Sequence, residues 1–87
     1  MNLVAEAASQ ANEIEVEADV DLGVTSRMLD LLVTHDRLPR QMNLSRDKDR
    51  MTVRMSLPPA EAGAAKLLAK LRQIPGVRRV EALADLP

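Results

Sequence analysis

The stretch EIEVEADVDLG sets acids at Glu13, Glu15, Glu17, Asp19 and Asp21, with Ile14, Val16, Ala18 and Val20 between them. Carboxylates in a row have two chemical uses, holding a cation and moving a proton. Neither suits this spacing. Side chains on one face of a strand stand about 6.6–6.8 Å apart, too far for neighbours to share one small ion without ligands from elsewhere. Nearby guanidinium groups lower a carboxylate's pKa, whereas a general base working near neutrality needs it raised. The row therefore reads as the wet face of a strand, and no catalytic or metal-ligating role is assigned to it.

His35 is the single histidine, and the periodicity around it places it on the apolar side of a helix near its C-terminus, as a partly buried or capping residue. No second ligand stands at helical spacing from it, so a zinc site is not expected. Ser26 and Ser56 have no histidine placed by a recognisable motif to activate them. Cysteine is absent, which removes thiol nucleophiles, thiolate metal sites and disulfides together.

The elements that must position these residues follow from periodicity. Strict alternation from Glu13 to Val20 predicts strand one, with its apolar side on a core. In DLGV, Asp21 is suited to cap a helix and Gly23 permits close approach of backbone or ligand. Val24, Met28, Leu31, Leu32 and His35 then fall on one helical face, with Arg27, Asp30 and Thr34 on the other, predicting helix one to about Asp36. Pro39 disfavours helix at Leu38, so RQMNLS reads as a short edge strand two with Met42 and Leu44 turned inward. RDKD reads as a charged turn. RMTVRMSL alternates again, predicting strand three with Met51, Val53, Met55 and Leu57 inward. PPAEAGAAKLLAKLRQIPG predicts helix two, opened by prolines, striped by Ala64, Leu67, Leu68, Leu71 and Ile74, and stopped at Pro75-Gly76. VRRVEAL is the last strand, with Val77 and Val80 as its apolar positions.

The order strand, helix, strand, strand, helix, strand predicts an α+β, ferredoxin-like sandwich over residues 13–84: a four-stranded antiparallel sheet with two helices on one face. Residues 1–12 read as a flexible extension. In this arrangement strand one is central between strands three and four, and strand two lies at an edge. The acids of strand one are then expected to face Arg50 and Arg54 on one neighbour and Arg79 on the other. The loop VDLGV is a candidate ligand site, because free N–H groups at a helix start suit a small carboxylate. A plain capped turn is equally consistent with it.

With 87 residues and no Phe, Tyr or Trp, the chain must build its core from Leu, Val, Ile, Met and Ala. A domain of this size buries only roughly 60–65% of the surface its unfolded form exposes, so association with another chain is expected to help it. Six acids precede the first base, Arg27, and the rest of the chain holds all twelve bases against seven acids. The two parts should attract each other on folding. Nucleic-acid binding across the sheet is not expected, since that face lacks aromatics and carries an acidic central strand. The start MNLVAEAASQAN lacks the basic residues and apolar run of a signal peptide, and no segment approaches a membrane span. These features predict a soluble, cytoplasmic protein without a cofactor or membrane partner.

Three stretches carry a resemblance to a known family. LGVTSRMLDLLVTHDRLPRQMNL, DRMTVRMSL and IPGVRRVEAL are similar to the ACT domain, and in particular to the small regulatory subunit of acetohydroxyacid synthase. The resemblance implies a noncatalytic homodimer that forms a continuous eight-stranded sheet and activates or stabilises a large thiamine-diphosphate-dependent catalytic subunit of branched-chain amino-acid synthesis. It implies a small amino acid as effector, held between chains by the loop Val20, Asp21, Leu22, Gly23 and Val24 of one and the segment at Leu38 of the other. Gly23 matches the loop glycine of the family, whereas Val20 and Leu38 stand where valine-sensitive members place asparagines. An amide lost from such a site removes about 0.5–1.5 kcal/mol per hydrogen bond, so a weakened effector response is expected. Asp36 replaces the glycine that follows helix one in the family, and the chain's length agrees with the short, valine-insensitive form. The dimer edge is assigned to strand two, at Gln41, Met42, Asn43, Leu44 and Ser45. A free-standing amino-acid-sensing or dimerisation module of the same type is the alternative.

Overall fold

The structure, a computed structural model, describes residues 12–58 and 65–83. Its elements run β1 (Asn12–Asp19), α1 (Leu22–Thr34), β2 (Gln41–Asp47), β3 (Arg50–Leu57), α2 (Ala65–Arg72) and β4 (Val77–Leu83). The sheet is antiparallel throughout with order β2-β3-β1-β4, so β1 is central and β2 and β4 are edges, as the sequence predicts. Expectations for residues 1–11, for the opening of helix two from Pro59 to Ala64, and for the domain end at residue 84 lie outside the described residues, while Pro58 is described and is not helical.

The core is one layer of side chains between sheet and helices. Ile14, Val16 and Ala18 of β1 and Met51, Val53, Met55 and Leu57 of β3 are buried together with Val24, Met28 and Leu32 of α1. Leu67 and Leu71 of α2, Ile74 and Val80 close it from the other side. Without rings, this core gains its stability from many medium-sized side chains, each worth about 1.5–3 kcal/mol when fully buried.

Helix α1 is punctuated at both ends by its sequence. Asp21 is the N-cap, its Oδ1 accepting from the Gly23 N–H at 2.8 Å. At the other end Asp36 takes φ +53, and the N–H groups of Asp36 and Arg37 donate back to the carbonyls of Val33 and Leu32. That paired pattern is the left-handed C-terminal cap, built here on an aspartate in place of glycine. His35 is the C-cap residue and is half-buried, in agreement with its expected role. Arg37 Nη2 donates to the Pro58 carbonyl at 2.9 Å, tying the α1–β2 connection to the end of β3.

Three local expectations are corrected. Strand two runs to Asp47, so RDKD is not a four-residue turn: the loop is Lys48-Asp49 alone, with Lys48 at φ +58. Strand one ends at Asp19, leaving Val20 in a bend. Leu44 lies opposite the buried Val53 yet is 48% exposed, because the helix layer does not reach over β2.

Candidate functional site

The acid row is a charge ladder in the structure, with one difference in its partners. Glu15 Oε2 accepts from Arg54 Nε at 3.2 Å and Glu17 Oε1 from Arg50 Nη1 at 3.3 Å, both across the β1–β3 pair. On the β4 side the expected partner, Arg79, lies opposite Glu17 but donates to Glu81 on its own strand at 2.6 Å. Asp19 is instead held by Arg78, Nε to Oδ1 2.6 Å. The reason is a bulge in β4: Ala18 pairs with Val77 and Glu17 with Arg79, so Arg78 is the extra residue. A bulge re-aims side chains. Both guanidinium pKa values are raised, that of Arg78 by its hydrogen bond to Asp19 and that of Arg79 by its hydrogen bond to Glu81. Among the described residues, no group of three or more His, Cys, Asp or Glu is placed to hold a metal ion.

The signal for this bulge stands in the sequence. Val77 and Val80 are three apart, a spacing that puts residues on opposite faces of a regular strand. In the structure Val80 is buried and Val77 packs against the same core. Only an extra residue between them allows that.

The loop after β1 is built by three segments meeting at one end of the sheet. The Asp19 N–H donates to the Gly76 carbonyl at 2.9 Å, joining the end of β1 to the turn before β4. Gly76 has φ +95, and a Cβ there would lie 2.6 Å from Val24 Cγ2, so the α2–β4 turn packs directly on the first turn of α1. This contact was not read from the sequence, where Pro75-Gly76 signalled only a helix stop. Gly23 has a smaller role: a Cβ on it would meet Asp21 Oδ1 at 3.2 Å, and its absence leaves room for the capping carboxylate.

The candidate effector residues are thereby sorted. Val24 is 2% exposed and belongs to the core, so it anchors the loop and offers no side chain to a ligand. Val20 is 37% and Leu22 86% exposed, while Asp21 and Gly23 are also at the surface. The Gly23 N–H, a donor that could receive a ligand's carboxylate, is already bonded to the Asp21 carboxylate. An incoming anion must compete with that charge.

Leu38 stands at the opposite end of α1, whose thirteen residues span about 20 Å. It is 84% exposed and, with Leu29, Val33, Arg37 and Pro39, lines an apolar hollow of about 470 Å³. One chain does not bring the loop and Leu38 together. The exposed Leu29 and Val33 were given no place in the sequence reading, which followed only the stripe that faces the core. Along β2, Gln41, Asn43, Leu44 and Ser45 are exposed and Met42 is half-buried, and among the described residues β2 pairs with β3 alone.

Comparison with solved structures agrees with this architecture. The ACT domain of GTP pyrophosphokinase from Chlorobium tepidum superposes with a TM-score of 0.72 in its crystal structure, at 22% identity over 84% of this chain and 96% of that one. Its solution structure gives 0.71, at 22% identity over 87% and 88%. The C-terminal domain of the MgtC protein from Mycobacterium tuberculosis gives 0.66, at 22% identity over 86% of each chain. No family profile and no curated protein matches the sequence. The chain therefore has the ferredoxin-like fold of ACT domains. No helix among the described residues is long and apolar enough to cross a membrane.

Proposed function

We propose that the chain is an ACT-type regulatory subunit that forms a homodimer through β2 and binds a large thiamine-diphosphate-dependent acetohydroxyacid synthase subunit in the cytoplasm, activating or stabilising it. The observation that carries the reading is an ACT-like fold whose β2 edge is bare among the described residues, combined with the resemblance of residues 22–44, 49–57 and 74–83 to that subunit family. The chain contributes no catalytic group and no cofactor in this role. Dimerisation supplies what a single chain lacks, since pairing along β2 covers part of the apolar surface that Leu44 and Met42 leave at the sheet edge. A second copy is also the means by which the loop of one chain would meet Leu38 of the other.

Effector control is weak on this reading. The side chains of Val20 and Leu38 offer no hydrogen bonds, and the Asp21 carboxylate sits on the N–H that an amino-acid carboxylate would use. Calorimetric titration with valine, leucine and isoleucine is expected to give little heat.

The test is affinity capture of the chain from its native cell, followed by assay of whatever synthase is recovered with and without it. Recovery of a thiamine-dependent subunit whose activity rises on adding the chain is the expected result. Capture of no such subunit overturns the reading. The alternative, a free-standing ACT-type sensing or dimerisation module, draws on the occurrence of the same fold as the ACT domain of a GTP pyrophosphokinase. Tight binding of one amino acid without any synthase partner would select it.

A further inference from the structure

The sheet has two edges, and they are finished differently. Along an antiparallel pair, residues alternate between exchanging hydrogen bonds with their opposites and turning both backbone groups away. The bond from the Asp19 N–H to the Gly76 carbonyl fixes that alternation for β1. Asp19, Glu17 and Glu15 direct their backbone groups at β4, whereas Val16 directs its own at β3. Val80 lies opposite Val16, so its carbonyl turns away from β1 and out to the open side of β4. That carbonyl is occupied: Arg72, in the last turn of α2, donates to it from Nη2 at 3.1 Å. Next to it the bulge at Arg78 breaks the straight run of the strand.

Among the described residues, the other edge shows neither device between Gln41 and Asp47. β2 pairs with β3 without interruption from Gln41 to Asp47, and the same alternation turns the N–H and C=O groups of Met42, Leu44 and Arg46 outward. An added strand needs a straight row of such groups with both donors and acceptors available. β2 offers it. On β4 a guanidinium covers one acceptor and a bulge misplaces the neighbours.

We infer that Arg72 is an edge-closing residue: it blocks addition of a second copy of this chain along β4, so that sheet growth is confined to β2. Where growth stops rests on the dimer reading given above, because two copies joined along β2 then present only closed β4 edges. The closing of β4 itself does not depend on that reading.

Sedimentation velocity over a concentration series tests this with Arg72→Leu, which removes the donor and keeps a helix-favouring, apolar stem. The variant should keep a native far-UV signature and form species larger than the native chain, growing with concentration. Arg72→Lys, which retains a donor, should reduce that growth. Ala82 is exposed, and by the same alternation its N–H faces the open side of β4. Adding Ala82→Pro to Arg72→Leu should therefore return the native size, because proline at that position obstructs an incoming strand. If Arg72→Leu loses its helical signature, Arg72→Gln, too short to reach Val80, must show the same growth. An unchanged size in the donor-free variant that folds, or growth that persists in the Ala82→Pro double variant, overturns the inference. The native chain's own size tests the dimer reading separately. A native monomer that pairs only when Arg72 is removed would keep edge closure and discard the β2 dimer.

Discussion

Met42 and Met55 face each other across the β2–β3 pair, on the same side of the sheet, and are the same residue type. Met55 is 1% exposed, while Met42 is only half-buried and the next residue on its face, Leu44, is 48% exposed. The contrast shows that alternation specifies which way a side chain points and says nothing of what covers it. β3 lies under the helix layer and is finished within one chain. β2 lies beside it, and among the described residues nothing covers its outer edge.

The sharpest test of this contrast is a matched pair of truncations. Met55→Ala is expected to lower unfolding free energy in urea by about 2–5 kcal/mol, the range for emptying a tightly packed core site. Met42→Ala should cost the isolated chain about 1 kcal/mol or less, since part of the side chain is already in water. Equal losses would mean that β2 is as well covered as β3.

The turn between the two strands gives a change of opposite sign. Lys48 holds a positive φ in a two-residue hairpin loop, a position where glycine has no steric cost. Lys48→Gly should raise the urea midpoint by an amount equivalent to about 0.5–1 kcal/mol. A fall would show that the Lys48 side chain contributes more than its backbone strain.

The smallest effect on the folded chain alone is expected at the free edge. Leu44→Lys should change the stability of the isolated chain by no more than about 0.5 kcal/mol, as surface substitutions do. In sedimentation equilibrium, however, it should abolish the dimer proposed along β2. A dimer that survives this charge would place the contact elsewhere.

The fold was legible because its inner strands and both helices carry clean periods: Ile14, Val16 and Ala18 point one way, and the acids between them the other. The partners of those acids were legible on the β3 side, where β1 and β3 pair without a register shift and the two alternating patterns face each other residue for residue. They were misread on the β4 side, where the three-residue spacing of Val77 and Val80 had to be recognised as a bulge before Arg78 could be assigned to Asp19. That Asp36, at φ +53, stands where the family has glycine was readable from the resemblance. The packing of Gly76 on Val24 was not, because it joins segments some fifty residues apart whose approach is set only when the sheet closes. For the candidate site, the cap at Asp21 was readable, but a cap and a ligand pocket use the same N–H, and only the geometry shows which of the two occupies it.

A core made without rings relies on sulfur, and that gives the molecule an internal gauge of its own opening. Met28, Met51 and Met55 are at most 4% exposed, whereas Met42 lies partly open on β2. A mild peroxide reaches a thioether only where solvent does, and converts it to a polar sulfoxide that a core cannot keep. Among the four methionines of the described residues, Met42 should be consumed first without loss of fold. Met28, Met51 and Met55 should react together, slowed by the small fraction of time the whole chain is open, so their common mass shift in a time course reads out the population of the open chain.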